Sequence, residues 1–455
     1  MKGTRTGAPG VIGLVLLLMG VALPSLVLCD QEMTFITSGG EPVGAVSPPV
    51  GKKTPAKWTL DTLVDEAVSK NPQILSRRYF SASAASAVDS AYWQFFPSPY
   101  MQFQQVGNND PALGVYDRTY TVGLQQPVWT GGRLTSNYAL AKSQAKSAEF
   151  SLAEAKYNLA LQVLSVYQAF MQSQQRGAAQ VEGNRRLEGF VEMIKRRVAN
   201  GVSAQADLSL VESRLSQGVS DLSILKSMQS TSLVKLGQLV GRSVAAEDIE
   251  VSYGTNALPA RFTSEELYGI VKKHPMLLRY DAEVEVASQQ LEVQKSSLWP
   301  SLSVKAEYQN GLFTQEPVRE AGRVYLNVSY SPGAGLSTYS DIKGGRAKVS
   351  GQKEVFEVAR RELLAQIAAD YNDCVSSFVR LKVATHIVVS SREVLESYKR
   401  MFIAGKRSWL DVLNAARELT QTEQQMADAQ ALFVASEYRL QLYAGNQSWS
   451  YKEKN

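Results

Sequence analysis

Within residues 404–440, a seven-residue repeat of apolar residues runs from Val412 to Leu440, after Gly405 and Asp411. A strict seven-residue repeat predicts a helix that supercoils along a narrow seam. The position three residues after the first four apolar ones is small or hydroxylated (Ala415, Thr422, Ala429 and Ser436), so neighbouring backbones can approach closely. The apolar positions are Val412, Leu419, Met426, Phe433 and Leu440.

The same pattern occurs a second time after residue 201. Gly201 is followed six positions later by Asp207, as Gly405 is by Asp411. The repeat then continues through Leu208, Leu215, Leu222 and Leu236, with Gln229 interrupting it. The pattern therefore predicts two helical hairpins with a glycine at each tip.

Proline spacing extends this duplication to most of the chain. Pro72 and Pro275 lie 203 positions apart, as do Pro97 and Pro300. A fixed spacing of this kind indicates an internal repeat. In each copy we expect a short helix and then a second helix that the later proline ends. The predicted helices span 58–70 and 72–96 in the first copy, and 263–273 and 275–299 in the second.

Two segments of alternating apolar and polar residues follow the second helix of each copy. Residues 302–308, 324–330 and 119–125 alternate clearly, whereas residues 99–106 alternate poorly. Each segment is close to the ~9–11 residues that a tilted strand needs to cross a bilayer. Such alternation is typical of outer-membrane barrels, although any single strand also fits a half-buried soluble sheet.

Long helical patterns then span residues 133–200 and 341–404. Each predicted helix is on the order of 100 Å long, which suits a tube or a rod rather than a compact domain. Four strands cannot close a barrel, and unpaired backbone groups in lipid are costly. We therefore expect the chain to pool its strands with copies of itself. Three copies would give twelve strands, and the sequence also leaves two or four copies open.

The N-terminus is typical of a secretory signal, with an apolar run over residues 11–28 after a positively charged end. We expect cleavage after Cys29, so that residues 1–29 form the signal and residues 30–57 a flexible lead-in. Residues 26–29 also resemble a lipoprotein box, in which Cys29 would carry lipid. An uncleaved anchor is a further alternative.

Composition fits a folded protein and excludes several functions. Of the 455 residues, 44% are hydrophobic and 20% are charged, so disorder is excluded for the bulk of the chain. A net charge of +5 without a basic stripe gives no reason to expect nucleic acid as a partner. His274 and His386 lie apart from other metal-binding residue types, so we predict no metal, no cofactor and no enzyme activity. Cys374 occupies a seven-residue position and is expected to be a buried packing residue.

Four segments resemble the TolC-type outer-membrane efflux and secretion channels, and the resemblance covers roughly residues 58–445. It implies a mainly α fold with a membrane β part: a homotrimer with a twelve-stranded barrel in outer-membrane lipid and a long periplasmic α-helical barrel. It also implies a periplasmic adaptor and an inner-membrane pump, ABC-type or proton-driven, as partners. We expect residues 58–257 and 258–445 to form the two repeats, and residues 446–455 a tail. The segments are LDTLVDEAVSKNP, FTSEELYGIVKKHP, QPVWTGGR and GKRSWLDVLNA.

In that family the tunnel closes at its periplasmic tips through polar links. The resemblance implies that Asp207 and Arg407 join such links and that Asp411 contributes to an acidic ring in the pore. Gly201 and Gly405 would mark the hairpin tips. From the residues alone, Asp207 and Asp411 are also ordinary first-turn acids that complement a helix N-terminus, and the two roles are compatible.

Three residues at the tips depart from the family pattern. Phe402 stands where the best-known members have a tyrosine, so a tyrosine–aspartate hydrogen bond is not available. Ala206 and Asn414 replace a threonine and a second aspartate. We therefore expect a less polar gate with a single anionic ring.

The cargo is not fixed by the sequence. The turn over residues 331–337 resembles members that serve type I secretion of proteins or adhesins, with small-molecule drug efflux as the alternative. A periplasmic coiled-coil adaptor or structural tether is the alternative of another class. Such a protein would not need paired amphipathic strands before each hairpin.

Overall fold

The computed structural model describes residues 57–105, 118–251, 254, 257, 262–311, 321–331 and 337–445, which lie within the unit formed by residues 55–455. Cys29, the signal, the lead-in, most of the turn over residues 331–337 and the C-terminal tail lie outside the described residues. The first repeat contains α1 (Leu60–Lys70), α2 (Pro72–Trp93), β1 (Ser98–Gln105), β2 (Arg118–Trp129), α3 (Arg133–Ala199) and α4 (Gln205–Val240). The second contains α5 (Ser264–Lys273), α6 (Pro275–Ser296), β3 (Ser301–Gly311), β4 (Ala321–Ser329), α7 (Thr338–Ile403) and α8 (Trp409–Ala444).

The second helix of each repeat ends about three residues earlier than the sequence predicted. Helix α2 stops at Trp93 instead of Phe96, and α6 stops at Ser296 instead of Trp299. The residues after each end form tight turns, in which the Phe96 backbone N–H donates to the Trp93 carbonyl. A following proline disfavours helical geometry in the residue before it, so the chain leaves the helix early.

The short helix and the second helix of each repeat are joined by one capping residue. Asn71 and His274 are both extended, and each side chain accepts a hydrogen bond from a backbone N–H of the next helix. The Asn71 Oδ1 accepts from Gln73 at 2.9 Å, and the His274 Nδ1 accepts from Met276 at 3.3 Å. The Asn-Pro and His-Pro pairs therefore break the helix and restart it at once.

The long helices form a layer of four. Near the hairpin tips α3 packs between α4 and α8, and α7 packs on the far side of α8. Nearer the strands, α2 takes the place of α4 beside α3, and α6 takes the place of α8 between α3 and α7. The predicted seam is confirmed on α8, where both seven-residue rows pack inward, with Met426 only partly buried. Cys374 is fully buried, as predicted.

The four strands form one antiparallel sheet in the order β1-β2-β3-β4. Its apolar face is open, since Met101, Val122, Val324 and Leu326 are each more than half exposed. Strand β1 pairs along its full length even though its sequence alternates poorly. Within the described residues, β1 and β4 each have one edge without a neighbouring strand.

The opposite face of the sheet is polar, and its side chains form hydrogen bonds to the carboxylate of Glu307. Tyr100, Gly123, Glu307 and Arg323 stand side by side, one on each strand. The Tyr100 hydroxyl donates to Glu307 across β2 at 2.7 Å, and Tyr325 donates to the same oxygen at 3.0 Å. A Cβ at Gly123 would lie 2.7 Å from the Tyr100 ring, so the glycine lets the tyrosine reach across.

Two of the apolar cores are separated by a polar layer. One core joins α1, α3, α4 and α8, and the other lies near the tips. Between them, Gln172 donates to Asp428 at 2.8 Å and Gln424 donates to Gln180 at 2.7 Å, both across α3 and α8. Among the residues that the structure describes, no helix combines the length and apolar character needed to cross a membrane.

We predict that acid destabilises the second repeat through His274. Burial lowers the pKa of His274 from 6.5 to about 4, so the unfolded chain takes up a proton that the folded chain resists. Stability is therefore lost as pH falls from 6.5 towards 4, by up to about 3 kcal/mol. His274→Asn reproduces the cap that Asn71 provides in the first repeat and should remove most of this loss. Melting temperatures at pH 7.5 and 4.5 test this, and an equal loss in both proteins would contradict it.

Candidate functional site

The two hairpin tips are built by the same backbone motif. Gly201 and Gly405 have φ angles of 70° and 73°, a conformation that favours glycine. The Val202 N–H donates to the Arg197 carbonyl at 2.8 Å, and the Lys406 N–H donates to the Met401 carbonyl at 2.8 Å. These bonds satisfy the last carbonyls of α3 and α7 and reverse the chain into the next helix. Both glycines lie in the turns that join the two long helices of each repeat.

The start of α8 is fixed by a reciprocal pair of side chains. The Asp411 N–H donates to the Ser408 Oγ at 3.2 Å, and the Asp411 carboxylate accepts from the Ser408 Oγ at 2.8 Å and from its N–H at 3.4 Å. The Ser408 hydroxyl, with a smaller effect from Arg407, lowers the pKa of Asp411. Asp411 is therefore ionised and acts as the first-turn acid that the sequence predicted.

Helix α4 begins without such a cap, because Ala204 occupies its N-cap position. Asp207 stands half-buried in its first turn. No hydrogen bond or ion pair joins its side chain to another of the described residues. Its neighbour Ala206 is exposed, and so is Asn414, one turn beyond Asp411. Among the described residues, the Asp207 carboxylate therefore has no bonding partner.

Arg407 bonds within its own hairpin. Its guanidinium lies 3.6 Å from the Asp411 carboxylate and 4.4 Å from the centre of the Tyr398 ring. Both charged side chains are partly exposed, so the pair adds little to stability. Its effect is to balance the charge of Asp411 locally.

Phe402 lies in a buried aromatic cluster that joins the two hairpins. Its ring centre is 5.2 Å from that of Trp409, which in turn is 5.5 Å from that of Phe190 on α3. The Arg197 guanidinium lies 4.7 Å from the centre of the Phe402 ring. The Trp409 Nε1 is buried without a hydrogen-bond partner among the described residues. Phe402 therefore makes aromatic and cation–aromatic contacts at the tip.

An ion cluster braces the helices above the tip. Arg186 on α3 donates to both oxygens of Glu423 on α8, at 3.2 and 2.6 Å, and to the Thr420 hydroxyl at 3.0 Å. Arg392 on α7 reaches the same carboxylate at 3.4 Å. Glu423 is buried and paired on two sides, so it fixes three helices relative to one another.

The residues at the tips offer charge and apolar contact rather than covalent chemistry. Within the described part of the chain, no group of three His, Cys, Asp or Glu side chains could hold a metal ion. Sequence reasoning missed Ser408, Tyr398, Trp409, Phe190 and Arg197. The spacing of Ser408 and Asp411 is a capping signal that could have been found. The partners of Phe402 lie on different helices, and no local pattern indicates them.

A model of the family described as outer membrane efflux protein matches residues 63–242 and 268–446. The chain belongs to this family. It is 21% identical over 422 residues to the outer membrane protein TolC of Vibrio cholerae, covering 89% of this chain and 94% of the relative. It is 22% identical over 343 residues to the alkaline protease secretion protein AprF of Pseudomonas aeruginosa, covering 72% and 71%.

A solved structure has the same fold. The outer membrane protein VceC of Vibrio cholerae matches with a TM-score of 0.72 and 15% identity, over 85% of this chain and 96% of that one. The predicted family, its mainly helical fold and its outer-membrane location in a Gram-negative bacterium, with a long periplasmic helical part, are confirmed. As a member of a family of efflux channels, the chain is a transport protein and not an enzyme.

We predict that Ser408→Ala loosens the start of α8. Loss of an N-cap costs on the order of 1 kcal/mol, so hydrogen exchange of the Asp411 backbone N–H, which donates to Ser408, should speed up about fivefold. Ser209→Ala, at an exposed position near the start of α4, is the matched control. Equal exchange in the two variants would contradict the capping role.

Proposed function

We propose that three copies of the chain form a passive channel-tunnel, with a twelve-stranded barrel in the outer membrane and a long α-helical barrel in the periplasm. The observation that carries this proposal is the four-stranded sheet with one exposed apolar face and two open edges. A sheet of four strands is too small to close, since single-chain barrels begin at eight. Three copies bring the total to twelve strands, and around a threefold axis the open edge of each copy pairs with the open edge of the next.

The two faces of the sheet suit a barrel wall. The apolar face, with Val324, Leu326 and Val328 exposed on β4, would meet lipid. The polar face around Glu307, Tyr100 and Tyr325 would line water. A periplasmic adaptor or tether without a pore has no use for this arrangement.

The helical layer also has edges that suit a second copy. On α4, exposed apolar side chains include Ile224, Met228 and Val234. On α7, at the opposite edge, they include Val379 and Val383. Packing one edge on the other around a threefold axis would bury both and continue the layer into a closed tube.

We place the gate at the hairpin tips of this tube. Gly201 and Gly405 turn the helices there, and Phe402 closes them with apolar contacts. Asp207 would pair with a neighbouring copy, and Asp411 would supply the anionic ring, partly balanced by Arg407. Asn414 lies exposed one turn further along α8 and would face the same opening.

The proposed assembly needs partners to drive transport. A channel of this kind has no energy source of its own, so a periplasmic adaptor and an inner-membrane pump, ABC-type or proton-driven, would supply it. We propose a type I secretion role, because one relative is named for secretion of an alkaline protease. The family description favours the second candidate, small-molecule efflux. A deletion strain that loses an exported protein but keeps its dye efflux would support secretion, and the reverse would support drug efflux.

We predict that Leu326→Lys prevents assembly while Asn327→Lys is tolerated. The two residues are neighbours on β4 but lie on opposite faces. A lysine facing lipid near the midplane costs about 2–4 kcal/mol, whereas one facing water costs little. The measurement is the amount of heat-sensitive trimer in purified outer membranes. Equal assembly of the two variants would contradict the lipid-facing assignment.

We predict that Asp207→Ala and Arg407→Ala each raise the conductance of the channel in planar bilayers. Loss of a charged hydrogen bond of ~1.5 kcal/mol corresponds to an approximately tenfold higher open fraction. Glu212→Ala and Lys406→Ala are matched controls, since both residues are exposed neighbours of the same charge. Unchanged conductance in both test variants would remove these residues from the gate.

A further inference from the structure

We propose that Arg197, Phe402 and Trp409 form a cation–aromatic clasp that fastens the two hairpins of each copy and holds the tip closed. This proposal rests on the proposed function, because it concerns the regulation of the same gate. It assigns the closing contact within a copy to Arg197, which is not one of the charged residues (Asp207, Arg407 and Asp411) in the proposed gate.

The clasp crosses from one hairpin to the other. Arg197 lies in the last turn of α3, and its Nε donates to the Ser203 Oγ at 3.2 Å across the tip of its own hairpin. That bond holds the guanidinium in place over the Phe402 ring, at 4.7 Å from its centre. A cation within about 6 Å of a ring centre is attracted by the negative face of the ring.

Two further aromatic rings complete the contact. Trp409 packs against Phe402 with the rings tilted at 44°, and Phe190 meets Trp409 edge-on at 85°. Phe190, Phe402 and Trp409 are 6%, 7% and 5% exposed. Parting the hairpins would bring these rings into water and remove the cation, so the closed arrangement is favoured by both effects.

Arg407, the other cation that lies over an aromatic ring near the tips, does not connect the two hairpins. Its contacts, Tyr398 and Asp411, both belong to the second hairpin. They can shape that hairpin, but they cannot hold it to the first one in the same copy. Among the described tip residues, Arg197 is the cation that bridges α3 and α7.

The test compares Arg197→Gln with Arg196→Gln in the intact trimer. Both changes remove one positive charge from the last turn of α3. Arg196 differs in that its Nε donates only to the Glu192 carbonyl, one turn back on the same helix. In planar bilayers we expect Arg197→Gln to raise the open fraction roughly fivefold, equal to ~1 kcal/mol, and Arg196→Gln to match the wild type. Equal open fractions in the two variants would overturn the proposal.

A double-mutant cycle tests whether the cation acts through the ring. Phe402→Leu should open the channel as Arg197→Gln does, and the double variant should open it no further than the larger single change. Arg197→Lys keeps a cation over the ring and should restore most of the closure. Additive effects, or no rescue by lysine, would contradict the clasp. Trimer yield and heat sensitivity should stay unchanged in all variants, and a loss of trimer in Arg197→Gln alone would instead assign Arg197 to folding.

Hydrogen exchange separates failure of the clasp from failure of the channel. In Arg197→Gln, exchange should rise in the turn of the second hairpin, at residues 403–409, although the change lies in the first. If the wild type forms no channels but this rise is seen, the clasp stands and the proposed function fails. If channels form and the rise is absent, the clasp fails and the proposed function stands.

Discussion

An open edge of a β-sheet cannot face lipid, because its backbone N–H and C=O groups would have no partner there. The described sheet has two such edges, on β1 and β4, and one exposed apolar face. Much of the architecture follows from this constraint. The described part of the chain supplies four strands, and in the proposed assembly the symmetry of three copies closes the sheet. The helices then continue the wall that the strands begin, so each repeat contributes two strands and one hairpin to the proposed tube.

In the proposed tube, the helical part has to be long and has to open at one end. Small residues along the seam of α8 let the helices lie close, and the core around Tyr167 and Phe170 anchors them near the short helix α1. Towards the tips this core gives way to the Gln172–Asp428 and Gln180–Gln424 contacts, and then to the Glu423 ion cluster. The apolar contact at Phe402 and Trp409 comes last. In the proposed channel, the contact at the end of the hairpins would therefore control whether the helices separate.

Most elements of the fold were predicted from periodic spacing in the sequence. The proline and glycine spacing predicted both repeats, both tips and the long helices, since these depend on local backbone preferences and on one repeating seam. The register of β1 did not follow from its alternation, because β1 gains its pairing from β2 and from Tyr100 reaching over Gly123. The tip chemistry was only partly predictable. Asp411 and Arg407 lie close in sequence, whereas Arg197 meets Phe402 only after the two hairpins pack.

Cross-linking between edge strands tests the central claim most directly. Single cysteines would be placed along β1 and β4, and the membrane-embedded protein would be treated with short bifunctional maleimides, with Cys374 buried and out of reach. If the open edges pair between copies, chains with one cysteine on each edge will form covalent dimers and trimers and nothing larger, while chains with a cysteine on β1 alone will stay single. Chains with both cysteines that stay single would mean that β1 and β4 do not meet between copies, and the account of a shared barrel would be wrong.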